Sequence, residues 1–278
     1  MREQRFDVWA AGDAYDRYMG RWSRLVAGEF LTWLGAGGGL RWLDVGCGTG
    51  ALTAAVAGRC HPRTVLGLDR SAGFLASAGA TAPAPAHFAV ADALSLPVRD
   101  EACDVAVSGL ALNFLPDPGA AVAEAARVVR QGRGGGLVAA YVWDYSGGMG
   151  LLNSFWAAAV ALDPSAAALD EGRRFPLCRP DPLRAVWEGA GLADVVVAAI
   201  EVPTVFAGFA DLWEPFLSGQ GPAPGYVATL APAARDRLRD ALGRAVPTRP
   251  DGSIPLTARA WAIRGTRPPR AATGRAPR

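Results

Sequence analysis

Three glycines at alternate positions follow an acid in Asp44-Val45-Gly46-Cys47-Gly48-Thr49-Gly50. Glycine permits backbone conformations closed to other residues and lets a ligand come against bare peptide groups. The alanine-rich stretch from Ala51 reads as a helix, and its unpaired N–H groups and partial positive charge would face the turn. Acids also close the next two apolar runs: Asp69 ends Thr64–Leu68, and Asp92 follows His87–Val90. A carboxylate at Asp44 would repel a pyrophosphate and attract an ammonium group. The turn alone leaves the ligand open, because Gly46-x-Gly48-x-x-Ala51 also satisfies a dinucleotide-binding pattern.

These residues need strands that end on one side and helices that lead away from them. Leu40–Val45, Thr64–Asp69, His87–Val90, Asp104–Leu110 and Leu137–Trp143 read as strands. Helices are expected over Ala51–Ala57, Phe74–Ala78 behind a Ser71 cap, and Ala120–Val129. Strand–helix alternation predicts an α/β, doubly wound, Rossmann-like fold. Its sheet is expected to be mostly parallel and seven-stranded, with helices on both faces. Ligands of such sheets bind outside the carboxyl ends of the strands, so Asp44, Asp69 and Asp92 should line one crevice. Ala14–Leu34 reads as a preceding helix, within an N-terminal cap over residues 1–39. Past strand 5 the pattern changes. Helices are expected over Leu151–Leu162, Pro182–Ala190, Ala210–Leu217 and Pro232–Ala245, with strands over Val195–Val202 and Pro255–Ile263. Insertions at about 146–180 and 204–247 should form a helical cap on a domain spanning 40–266. Arg264–Arg278 holds five arginines, three prolines and no acid, and reads as a tail whose residues 267–278 are disordered.

Composition narrows the classes. A chain of 278 residues, 51% hydrophobic, can bury the core of one large α/β domain. A net charge of +2 is too mild to argue for nucleic acid. All 28 basic residues are arginine, as GC-rich coding would give. Cys47, Cys60, Cys103 and Cys178 show no C-x-x-C spacing, so reduced thiols, a cytoplasmic setting and no metal site are expected. The first residues lack the apolar stretch of a signal peptide, and no uncharged apolar run reaches membrane-spanning length. The expected partner is a small molecule, bound by a monomer or homodimer.

The ordered motifs resemble those of class I S-adenosylmethionine-dependent methyltransferases, in the group that includes ubiquinone/menaquinone-biosynthesis C-methyltransferases. Leu43–Gly50 is similar to the first motif, Leu68-Asp69-Arg70-Ser71 to the acidic ribose motif, and Ala91-Asp92-Ala93-Leu94-Ser95-Leu96-Pro97 to the adenine motif. Asp104–Ser108 through Leu115-Pro116-Asp117-Pro118 resembles the strand 4 region, so the likeness covers residues 40–145. The resemblance implies S-adenosylmethionine as cofactor, with the backbone of Gly46, Cys47 and Gly48 around its methionine portion and Asp44 near its amino group. Asp69, with Arg70 after it, would accept from both ribose hydroxyls. Asp92 would take the adenine amino group beside the Ala93 N–H. Ser108, Gly109 and Leu110 would border the sulfonium. Tyr15–Ser23 resembles a leader helix, implying that Tyr18 covers the cofactor and that Arg21 or Arg24 approaches its carboxylate.

Methyl transfer is an in-line displacement at a carbon the cofactor has already activated, so the protein chiefly orients and desolvates. His61 and His87 read as structural. Asn113 is a candidate for orienting a substrate. Asp144 and Tyr145, just past strand 5, are the acid/base candidates. Trp143, Tyr145, Phe155, Trp156, Phe175, Trp213 and Phe216 could wall a flat or apolar acceptor or fill the cap's own core. A dinucleotide-dependent oxidoreductase, a nucleic-acid methyltransferase and a cofactor-binding protein without turnover are the rivals. Asp44 and Asp92 argue against the first. The absence of an Asn/Asp-Pro-Pro-Tyr motif after strand 4 argues against the second.

Overall fold

A computed structural model describes residues 20–131, 135–219 and 221–269. In chain order the helices and strands are α1 (Arg21–Leu34), β1 (Arg41–Val45), α2 (Ala51–Arg59), β2 (Thr64–Asp69), α3 (Ala72–Thr81), β3 (Ala86–Val90) and β4 (Val105–Gly109). Then come α4 (Pro118–Val128), β5 (Leu137–Trp143), α5 (Gly150–Leu162), α6 (Glu171–Arg174), α7 (Pro180–Gly189) and β6 (Ala193–Phe206). The last are α8 (Phe209–Trp213), α9 (Pro222–Thr229), α10 (Pro232–Ala245) and β7 (Ile254–Thr266). The strands form one seven-stranded sheet in the order β3-β2-β1-β4-β5-β7-β6, as expected of the fold class. β1 to β5 are parallel, and β7 runs antiparallel between β5 and β6.

Local chemistry sets these elements. Ser71 accepts from the Phe74 N–H at 3.2 Å to start α3, and Asp117 accepts from Ala120 at 2.9 Å ahead of Pro118 to start α4. Strand alternation splits the core in two. Trp42, Val107 and Tyr141 join α1, α2 and α5 on one face; Leu43, Val45, Ala106 and Val138 pack with α4 and α7 on the other.

The chain departs from the sequence expectations in several places. β6 extends through Pro203, which is tolerated because β6 is an edge strand. The segment between the expected helices Ala210–Leu217 and Pro232–Ala245 contains α9, with Pro222 and Pro224 in its first turn, where a missing N–H costs nothing. β7 continues to Thr266, so Arg264 is strand rather than tail. Arg267 is likewise fixed, donating to the Arg127 and Val129 carbonyls at 2.7 and 2.6 Å. Residues 270–278 of the expected tail, and the expected helical residues 14–19, lie outside the described residues. Among the described residues no helix is long and apolar enough to cross a membrane, and no cluster of three metal-ligating side chains exists.

Candidate cofactor site

The chain turns outward in opposite directions from β1 and β4, so a crevice opens at their carboxyl ends. It holds a cavity of about 260 Å³. Its lining runs from Ala91 and Ala93 past β3, through Asp69, Asp44 and Gly109, to Tyr141 on β5. That is four strand spacings, about 19 Å.

The glycine turn floors this cavity. Gly46, Gly48 and Gly50 all take positive φ, and a Cβ at Gly46 would lie 2.7 Å from the Ala111 methyl. The N–H groups of Gly46 and Cys47 both donate to the Leu68 carbonyl, at 2.8 and 3.0 Å, which ties the turn to β2. Asp69 accepts from Gly48 N–H at 2.9 Å through one oxygen and from Ser71 N–H at 2.8 Å through the other. Each oxygen keeps a further lone pair toward the cavity. Leu110 also lines the cavity and holds φ +59°, a conformation rare outside glycine, with its N–H donating to Tyr141 O at 2.8 Å.

Asp44 lies beneath the turn, fully buried. Thr53 of α2 donates to Oδ2 at 2.6 Å, while Oδ1 accepts no hydrogen bond. Burial, then the charge of Asp69, lifts its pKa to about 7 against the opposing Thr53 bond. Burial, with Asp44 and Asp69, also pushes up the Cys47 thiol, which keeps it protonated.

Of the cofactor residues the sequence suggests, Asp44, Gly46, Cys47, Gly48, Asp69, Arg70, Ala93, Gly109 and Leu110 line the cavity. Asp92 is exposed at its edge, accepting from Leu94 N–H at 3.0 Å, between the lining residues Ala91 and Ala93. Ser108 does not line it: alternation turns the side chain to the opposite face, into a void of about 20 Å³ beside Trp187. Arg24 is exposed and outside the lining, and Tyr18 lies outside the described residues.

The acid/base candidates fall elsewhere. Asp144 is buried and committed to Arg259, whose Nη2 and Nε approach Oδ2 at 2.6 and 2.7 Å, and it accepts from Ser146 N–H. Tyr145 packs against Phe175, with ring centroids 5.7 Å apart. Asn113 sits in the turn before the lining residues Phe114 and Leu115, its buried Nδ2 without a partner.

Most of the expected acceptor wall is cap core. Phe155 is fully buried and stacks on Phe216 at 4.4 Å; Trp156 meets its edge and donates its indole N–H to Glu171. Trp213 packs on Phe216, and Trp143 is buried under the same layer. None of the seven lines the cavity; Phe175 backs the lining residue Phe114, edge-on at 5.2 Å. The sequence reading missed Ser23, Phe74, Phe114 and Tyr141 in the lining, and Thr53 behind Asp44. A usable signal was the two-residue period of the strands, which puts Tyr141 on the same face as Trp143.

A family model described as a methyltransferase domain matches residues 43–140. A malonyl-[acyl-carrier protein] O-methyltransferase of Hahella chejuensis is 41% identical over 91 residues, covering 32% of this chain and 33% of that protein. A trans-aconitate 2-methyltransferase of Deinococcus radiodurans is 44% identical over 75 residues, covering 27% and 28%. The chain thus spans about a third of the length of these curated relatives. Among solved structures, the [4+2]-cyclase SpnF shares the fold with a TM-score of 0.53, at 19% identity, over 89% of this chain and 81% of that one.

Proposed function

We propose that this chain, whose residues 43–140 match a methyltransferase-domain model, is a class I S-adenosylmethionine-dependent methyltransferase that carries a methyl group from S-adenosylmethionine to a small organic acceptor. One observation carries the reading: Asp44, a lining residue under the glycine turn, is a fully buried carboxylate whose Oδ1 has no hydrogen-bond partner. An ammonium group satisfies that oxygen; a pyrophosphate would be repelled by it. Asp69, braced by two backbone N–H groups, takes the ribose diol with its remaining lone pairs. Asp92 and Ala93 take the adenine edge, and Gly46 leaves room where a Cβ would meet Ala111. S-adenosylmethionine, when bound, supplies a carbon activated by its sulfonium. The chain's own role is to bind, orient and exclude water.

The acceptor enters over Phe114, which is 41% exposed and backed by Phe175 and Tyr145. Among the described lining residues there is no imidazole, and Asp144 is held by Arg259. That favours an oxygen nucleophile that arrives ionised, a carboxylate on a flat or apolar body. The names of the two curated relatives, one an O-methyltransferase and one acting on trans-aconitate, support the same class. The motif wording keeps C-methylation in the ubiquinone/menaquinone manner as the second reading.

Calorimetric titration tests the cofactor. Micromolar binding of S-adenosylmethionine and S-adenosylhomocysteine with none of NAD(P) is expected, and the reverse overturns the proposal. Asp69→Ala should weaken S-adenosylhomocysteine by roughly 1–3 kcal/mol, the scale of lost charged hydrogen bonds. Unchanged affinity would remove Asp69 from the site. With methyl-labelled cofactor and a panel of acids, product label should be released by mild alkali, as from a methyl ester. Alkali-stable label points to C- or N-methylation.

A further inference from the structure

The β5 end of the cavity carries a hydroxyl to which the proposed function gives no role. Tyr141 is 2% exposed and pairs in register with Gly109 on β4. A Cβ at Gly109 would lie 2.6 Å from the phenol oxygen and 2.8 Å from Cζ. The missing side chain therefore lets the ring tip lie over β4, the strand between β5 and β1. Tyr141 and Trp42 share one core face, and Asp44, two residues on from Trp42, uses that face to meet Thr53. The phenol thus reaches from β5 toward the Asp44 column. Phe30 of α1 backs the ring at 4.7 Å between centroids. Ser23, seven residues earlier on the same helix face, also lines the cavity.

We propose that the Tyr141 hydroxyl, with Ser23 of the facing helix, holds the carboxylate of the cofactor's methionine portion, while Asp44 Oδ1 holds its ammonium. This rests on S-adenosylmethionine being the cofactor. An α-amino acid presents both charges on one carbon, so donors must stand within a few ångströms of the carboxylate that takes its ammonium. A guanidinium placed there would pair with Asp44 and compete with the ligand. A phenol donates without neutralising it. Among the described lining residues the one cation is Arg70, past β2 on the ribose side.

The test titrates the full chain with S-adenosylmethionine, with S-adenosylhomocysteine and with 5′-methylthioadenosine, which keeps the adenosine and thioether but lacks the amino-acid end. Tyr141→Phe should weaken S-adenosylhomocysteine on the order of tenfold or more and leave methylthioadenosine within about twofold, the selective loss of one charged hydrogen bond. Gly109→Ala, whose methyl would displace the phenol tip, should act in the same direction. Equal weakening of both ligands would reduce Tyr141 to ring packing and overturn the proposal. So would a loss confined to S-adenosylmethionine, which would place the hydroxyl at the methyl instead, or no change at all. If the unaltered chain binds none of the three, the cofactor reading itself fails, and that outcome is separate from any effect of the variants.

Discussion

Replacing Asp44 with asparagine should make the ligand-free protein more stable at pH 8 while removing most of its affinity for S-adenosylmethionine. Asp44 is fully buried, and one oxygen has no partner. Burial raises its pKa to about 7, against about 4 in an unfolded chain. The folded state therefore binds this proton more tightly than the unfolded one. Stability from the group is greatest below pH 4, falls as pH rises from 4 to 7, and is level above. The difference amounts to a few kcal/mol at pH 8. Asparagine removes the buried charge and still accepts from Thr53, so urea midpoints of the two proteins should meet near pH 4 and separate by pH 8. Glu171, buried beside Trp156 and also raised to about 7 by burial, adds a slope of the same sign that Asp44→Asn leaves in place. Cofactor affinity runs the other way. An ammonium needs the ionised carboxylate, so binding should strengthen as pH rises toward 7 and lose that dependence in the variant. A variant no more stable than the parent at pH 8, or one that keeps its affinity, would show that Asp44 is not a strained ligand-binding charge.

That trade between stability and binding separates what the sequence reveals from what it hides. Asp44 and Asp69 were legible because each closes an apolar run, and a carboxylate at such a strand end has few other uses in an α/β sheet. The fold class and its strands followed from the same runs. Side-chain direction within them did not. Val105–Gly109 is small or apolar throughout, as a strand buried on both faces is, so it has no alternation to show that Ser108 turns away and Gly109 faces the cavity. The two-residue period puts Tyr141 on the face of Trp143, but its reach over β4 depends on the Cβ missing at Gly109, which the strand register reveals. Asp144 was misleading because its partner, Arg259, lies 115 residues away on β7.

Aromatic residues posed the hardest case, since a ring lining a pocket and a ring filling a core look alike in sequence. Two substitutions should separate them. Phe155→Ala should destabilise the protein by about 3–5 kcal/mol, the cost of a large cavity in a packed core. Phe155 is fully buried, stacked on Phe216 and edge-on to Trp156, so nothing can collapse cheaply into the space. Cofactor binding below the unfolding transition should be unchanged, because no atom of Phe155 lines the cavity. Phe114→Ala should do the reverse. Its ring is 41% exposed at the cavity mouth, so stability should move by less than about 1 kcal/mol while the KM for the acceptor rises. Phe175, edge-on to Phe114, should couple to it in a double-mutant cycle on KM. If Phe155→Ala raised KM at unchanged stability, the cap would have to open to admit the acceptor between α5 and the Glu214–Ser218 turn. The close stacking of Phe155 on Phe216 argues against that route, since an acceptor entering there would first have to pry open a ring pair whose centroids lie 4.4 Å from each other.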